Sequence, residues 1–97
     1  MEIRSAQLLM DEVYGVRDRR RGVDRTFAWF VSEVGELGDA LVKNRGCEHL
    51  KEEAADVLAW LLSFCNVAGV DLDDAFNSKY GSTCPRCGAK PCGCPTA

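Results

Sequence analysis

Two acidic couplets, Glu33-x-x-Glu36 and Glu53-x-x-Asp56, each lie inside an amphipathic helical pattern, and a break at Gly46 separates them. Residues three apart share a helix face, so four carboxylates can converge where two such helices pack antiparallel, the competing reading being acids that merely solvate helix surfaces. Gly46 serves as a ruler. Glu36 lies ten residues before it and Asp56 ten after, which sets the two level, with Glu33 and Glu53 one turn to either side, about 4.5 Å along the axes. Such a cluster repels itself unless a cation holds it together, and oxygen-only ligands favour Mg²⁺ or Mn²⁺ over zinc. Magnesium takes part of its shell from phosphates, which makes a diphosphate or triphosphate the natural ligand.

The remaining pattern is helical throughout, and alternation of period two never lasts four residues, so the expected fold is all-α. Leu8, Leu9, Val13 and Tyr14 share a stripe over 5–14, with Ser5 as the cap and Gly15 as the stop. The charged segment VRDRRRGVD reads as a loop. Asp24 then caps a second helix running to about residue 44, on which Phe27, Phe30, Val31, Val34, Leu37 and Leu41 recur. A third helix is expected over 48–68. It is apolar on nearly every side from Val57 to Cys65, which implies burial at a subunit interface. Asp71 opens a fourth helix, LDDAFNSKY, and from Gly81 onward Gly, Pro and Cys exclude helix. The expected organisation is a helical domain over 1–81 and a short tail over 82–97.

Composition narrows the function classes. With a net charge of −3 the chain has no general attraction to nucleic acid or anionic membrane; the run from Arg17 to Arg25 is a local exception. The apolar stretch from Val57 to Cys65 is too short to span a bilayer, and the first residues lack a cationic leader, so the expected location is cytoplasmic. Of six cysteines, four fall within eleven residues, as Cys84-x₂-Cys87-x₄-Cys92-x-Cys94. This is a metal knuckle: four thiolates for a tetrahedral ion, Zn²⁺ by preference, with iron sharing the geometry and two disulfides as the competing reading. A closed four-thiolate site has no open position, so its expected role is to order the tail.

The stretch TFAWFVSEVGELGDAL, followed after a loop by EEAADVLAWLLSFCNVAGVDLDDAFNSKYG, resembles the MazG-like nucleotide pyrophosphohydrolases of the all-α NTP pyrophosphatase superfamily over about residues 24–81. The resemblance implies homodimers or homotetramers that hydrolyse a nucleoside triphosphate to the monophosphate and pyrophosphate with Mg²⁺. It assigns Glu33, Glu36, Glu53 and Asp56 as metal ligands, and Lys79, with Asn77, as a phosphate contact. The fuller motif begins with two glutamates, and the first falls on Ser32, which leaves Glu33 or Glu36 as the candidate base. Glu52 faces away from Glu53 and reads as solvated.

Beside that resemblance, the residues offer further contacts. Arg25 begins the metal-bearing helix and is the preferred phosphate ligand among Arg17, Arg19, Arg20, Arg21 and Arg25. Trp29, one turn before Glu33, is the candidate for stacking on a base, while Trp60 reads as core, and His49 as an exposed residue at a helix start. The alternative to an enzyme is a non-catalytic helical dimer that presents the knuckle to a protein or nucleic-acid partner.

Overall fold

The computed structural model describes residues 1–96. Four helices follow one another: α1 (Ile3–Arg21), α2 (Val23–Val42), α3 (Cys47–Ala68) and α4 (Leu72–Lys79). Among the described residues there is no strand. α2 and α3 form the antiparallel hairpin, α1 packs along α3, and the short α4 returns to α1.

The expected loop at 16–24 is not one. α1 runs unbroken through Gly15 to Arg21, because Gly15 has no left-handed backbone and acts as a gap. Asp11 and Arg19 form an ion pair of 2.7 Å across it, and a Cβ at Gly15 would sit 2.5 Å from Asp11 Oδ1. Arg19, Arg20 and Arg21 occupy the last turn, where the helix dipole favours cations. The break falls at Gly22, whose φ of 86° suits a residue without a side chain. Ser5 therefore lies inside α1, and Asp24 inside the first turn of α2, rather than capping them.

The midpoint of the hairpin lies about one and a half residues before the expected one, which moves the pairing of α2 with α3 by about three residues. α2 ends at Val42 and α3 begins at Cys47, so the turn centres between Asn44 and Arg45 instead of on Gly46. Trp29 accordingly stacks on Trp60, with ring centroids 5.8 Å apart, and Phe27 meets Phe64 at 5.6 Å. This makes Glu33, not Glu36, level with Asp56.

α2 presents Thr26, Phe30, Glu33, Leu37 and Ala40 at intervals of three and four, and these are its buried or half-buried positions. Only Ala40, Leu62 and Cys65 are fully buried apolar side chains among the described residues. At the far end, Asp71 caps α4 by accepting from the Asp74 amide, and Arg4 reaches Asp71, Asp73 and Asp74 at 3.2, 2.8 and 3.1 Å. Gln7 donates to the Val70 carbonyl and accepts from the Leu72 amide, which fixes α4 to the N-terminal end of α1.

Candidate functional site

Glu33 owes its position to the face it shares with Phe30 and Leu37. The hairpin brings it against Glu53 and Asp56 of α3, and one carboxylate oxygen from each of the three lies within 4.8 Å of the others. Glu33 and Glu53 are half-buried, Asp56 is exposed, and Glu36 stands at the open edge outside the group of three. Glu33 Oε2 and Glu53 Oε2 are out of solvent with no hydrogen-bond partner. Two orphaned anionic oxygens side by side are costly unless a cation meets them. An all-oxygen donor set fits a hard divalent ion.

Burial, with the charges of Glu36 and Asp56 next in weight, holds the Glu33 carboxyl above the usual glutamate range. A pH dependence follows. A charged Glu33 is penalised in the folded chain, and the penalty disappears as pH falls toward the ordinary glutamate pKa, where both folded and unfolded states are protonated. In chelator, Glu33→Gln should therefore melt above the wild type at neutral pH, and the gap should close on acidification. A gap that is constant or widens with acid would exclude this environment for Glu33.

His49 stands in the first turn of α3 with its Nε2 3.4 Å from Glu53 Oε1, one turn along the helix, and pairs with that carboxylate when its ring is protonated. The acidic couplets gave no hint of it, although the i, i+4 spacing was there to be read. Glu52 is exposed, as its position predicts.

Beside the carboxylates, α1 and α3 enclose a cavity of about 240 Å³ lined by Tyr14, Arg17, Asp18, Arg21, Asp56 and Trp60, among others. On α1 the lining residues Met10, Tyr14, Arg17 and Arg21 follow helical spacing, and Asp56, Ala59 and Ser63 do the same on α3. Arg21 donates to Asp18 at 2.8 Å and lies over the Trp60 ring, 4.7 Å from its centroid. Arg17 makes no ion pair among the described residues and faces the cavity.

The other expected contacts are placed elsewhere. Arg25 and Trp29 line a separate shallow hollow with Ala28 and Ser32. Trp29 is half-exposed, with one face of the pair taken by Trp60. Asn77 is engaged by Asp73 of its own helix, and Lys79 lies 5.5 Å from the Tyr80 ring. Both belong to the helix tied to Arg4, about 21 Å along α1 from Asp18 at 1.5 Å per residue. Neither lines the cavity, so one chain does not bring them to the carboxylates.

The tail folds its cysteines into one group. Cys84, Cys87, Cys92 and Cys94 place their sulfurs within 4.8 Å of one another, with Cys84–Cys92 at 3.6 Å, Cys84–Cys94 at 3.8 Å and Cys87–Cys92 at 3.9 Å. These are free thiols, far from the S–S bond length of about 2 Å. A tetrahedron with metal–sulfur bonds of about 2.3 Å separates its sulfurs by about 3.8 Å, so the arrangement fits one ion. The backbone favours the charged form: amides of Ala89 and Gly93 bring the Cys87 thiol down to about 6, while crowding by Cys92 and the others pushes Cys94 up to about 11. Four sulfurs this close do not all ionise without a cation.

The family model described as the MazG nucleotide pyrophosphohydrolase domain matches residues 21–88, which span α2, α3, α4 and the first two cysteines. No curated protein matches the chain significantly. The matched segment contains all four acids of the couplets but leaves most of α1, with the cavity wall it supplies, outside.

Proposed function

Because the chain belongs to the MazG nucleotide pyrophosphohydrolase family, we propose that it hydrolyses a nucleoside triphosphate to the monophosphate and pyrophosphate with Mg²⁺ or Mn²⁺. The observation that carries this reading is the convergence of Glu33, Glu53 and Asp56 with two buried oxygens left unpartnered. These three would hold the cation. Bound there, a divalent ion offsets phosphate charge and makes a water more acidic. Glu36, exposed and outside the group of three, keeps a free carboxylate to take the proton from the water that attacks the α-phosphorus. Ser32 supplies no fifth acid, so this role passes to Glu36, at the open edge, rather than to Glu33, which would be engaged by the cation. Arg17, unpaired and facing the cavity beside Asp56, is the better-placed phosphate contact than Arg25.

The test is a panel of canonical and modified ribo- and deoxyribonucleoside triphosphates with Mg²⁺, assayed for pyrophosphate. Release of pyrophosphate from at least one is expected. No product from any, together with no divalent-cation binding by titration, would remove the reading.

The surface supports assembly. A compact monomer of 10.7 kDa exposes about 5,500 Å², whereas this chain exposes 7126 Å², and its radius of gyration of 15.7 Å exceeds the about 12.5 Å of a compact domain of its length. Phe27, Val31, Val34 and Leu41 are exposed along one stripe of α2, and Leu8, Leu9 and Val13 along α1. A homodimer, or a tetramer of such dimers, covers surfaces of this kind. Among the described residues no single helix is long and apolar enough to cross a membrane.

The four cysteines would hold a structural Zn²⁺. One equivalent per chain is expected by elemental analysis, and Cys92→Ser should lose it while the far-ultraviolet helix signal stays within about a tenth of wild type, since ligand loss unravels only the tail. Retention of full zinc by that variant would refute the four-thiolate site.

A further inference from the structure

A run of side-chain contacts joins the three long helices beside the carboxylates. On α1, Asp18 is 2% exposed and accepts from Arg21 Nη1 at 2.8 Å. Withdrawing the guanidinium would leave a buried anion uncompensated, so Arg21 is held where it stands. From there it lies over the Trp60 ring of α3, 4.7 Å from its centroid. Trp60 in turn stacks on Trp29 of α2, 17° from parallel, with centroids 5.8 Å apart. Trp29 precedes Glu33 by four residues and Trp60 follows Asp56 by four, and the two helices run antiparallel. The tryptophan pair is therefore the rung of the hairpin next to the Glu33–Asp56 rung, about 6 Å along the axes. Packed helices transmit displacement from one turn to the next, so the spacing of the tryptophans bears directly on the spacing of the acids.

On the reading that Glu33, Glu53 and Asp56 hold a divalent cation, we propose that Arg21 is a positioning residue for that site: anchored by Asp18, it steadies the Trp60–Trp29 stack, and through the stack it keeps α2 and α3 at the spacing at which Glu33 and Asp56 share one ion. The three carboxylates repel one another, so without such a clamp the hairpin relaxes by opening at that rung. Arg21 thus differs in role from Arg17. Arg17 faces the cavity, whereas the Arg21 guanidinium is already engaged by Asp18 and by the Trp60 ring. A guanidinium lies flat on an indole and still offers edge donors to a carboxylate; an ammonium is a point charge that cannot do both. Lysine at this position would keep a cation for Asp18 and lose the plane. Coupling between linked sites is reciprocal, so a clamp that helps the cation bind is itself tightened when the cation is bound.

The chain has two tryptophans and both are in the stack, so indole fluorescence reports on it alone. Titration of the nucleotide-free wild type with Mg²⁺, followed by calorimetry and by indole emission, is expected to give the same midpoint in both. In Arg21→Lys the Mg²⁺ dissociation constant, measured well below the melting temperature, should rise by at least about fivefold, the lower end of ordinary coupling between sites. Trp29→Leu, at a half-exposed position, cuts the next link and leaves the Asp18 pair alone, and it should weaken Mg²⁺ comparably. The double variant should be no weaker than the worse single one, because both changes break the same link. Activity supplies a further readout: saturating Mg²⁺ should restore kcat in Arg21→Lys, whereas loss of a phosphate contact would persist at any Mg²⁺ concentration. Wild-type Mg²⁺ affinity in either single variant, losses that simply add in the double, or a kcat deficit that saturating Mg²⁺ leaves in place overturns the proposal. Should Arg21→Lys not fold, Trp29→Leu and the wild type decide it: weaker Mg²⁺ binding in Trp29→Leu supports it, and calorimetric binding to the wild type with no change in indole emission overturns it. Mg²⁺ binding without these couplings would sink this inference alone, whereas no Mg²⁺ binding to the wild type would sink the carboxylate reading on which it rests.

Discussion

Glu53→Gln should lower kcat/KM for nucleotide hydrolysis by at least about a hundredfold while leaving the metal-free protein as stable as wild type or more so. The two halves of this expectation have one cause. Glu53 contributes one of three converging oxygens, and one of its own is buried without a partner. Its charge is among those that hold the Glu33 carboxyl above its usual range, so removing it relieves repulsion in the empty site. Glutamine keeps the shape and an oxygen for His49, which stands 3.4 Å from Glu53 Oε1. What it cannot supply is the anion that attracts a divalent ion. Added Mg²⁺ should raise the melting temperature of the wild type and not that of the variant. A residue kept only for packing would behave in the opposite way, losing stability and leaving the Mg²⁺ response intact. Either full activity or an undiminished Mg²⁺ shift in Glu53→Gln would displace Glu53 from the site.

Much of this geometry is legible in the sequence, and the exceptions have physical reasons. The periodicity of α2 and α3 is strong because both bury a stripe, and the acids stand inside those stripes, so their convergence can be read without coordinates. The pairing slipped by about three residues because a glycine marks a turn but not its midpoint, and here α2 stops four residues before Gly46 while α3 starts one after it. α1 misleads more. Gly15 looks like a stop, yet it is the space that an Asp11–Arg19 pair crosses, a contact that no local rule anticipates. With the helix cut there, Arg17, Asp18 and Arg21 fall into an imagined loop. The cavity wall was hidden for the same reason: it is built from a stripe whose members are mostly polar, and a search for apolar recurrence passes over Asp18 and Arg21. The signal was present as spacing, since Met10, Tyr14, Arg17 and Arg21 recur at three and four. The cysteines needed no such help, because their separation in the chain already fixes how close four sulfurs can come.

The wild type should sediment as a dimer or tetramer at tens of micromolar, and the double variant Val31→Glu, Val34→Glu should not. Both side chains are about half-exposed, at 51% and 44%, on the stripe of α2 that includes Phe27 and Leu41. This stripe lies roughly 110° around the helix from the one that carries Glu33, by the 100° that each residue turns. Charges introduced there do not enter the carboxylate site. They do meet a second copy of themselves, because a two-fold interface presents the same patch from both subunits. Like charges brought together in a closing apolar surface oppose assembly strongly. If the folded chain depends on its partner, as its open surface implies, the wild-type melting temperature rises with protein concentration and the variant loses that dependence along with most of its stability. The same symmetry supplies the control. Val31→Lys, Val34→Lys should fail alone in the same way, yet an equimolar mixture of the glutamate and lysine variants should assemble, since each patch then faces its opposite. Recovery in the mixture distinguishes a self-complementary α2 interface from simple damage to the helix. A wild type that remains monomeric at these concentrations, or a mixture that recovers nothing, would place the assembly surface elsewhere and leave the apolar stripe of α2 without a role in it.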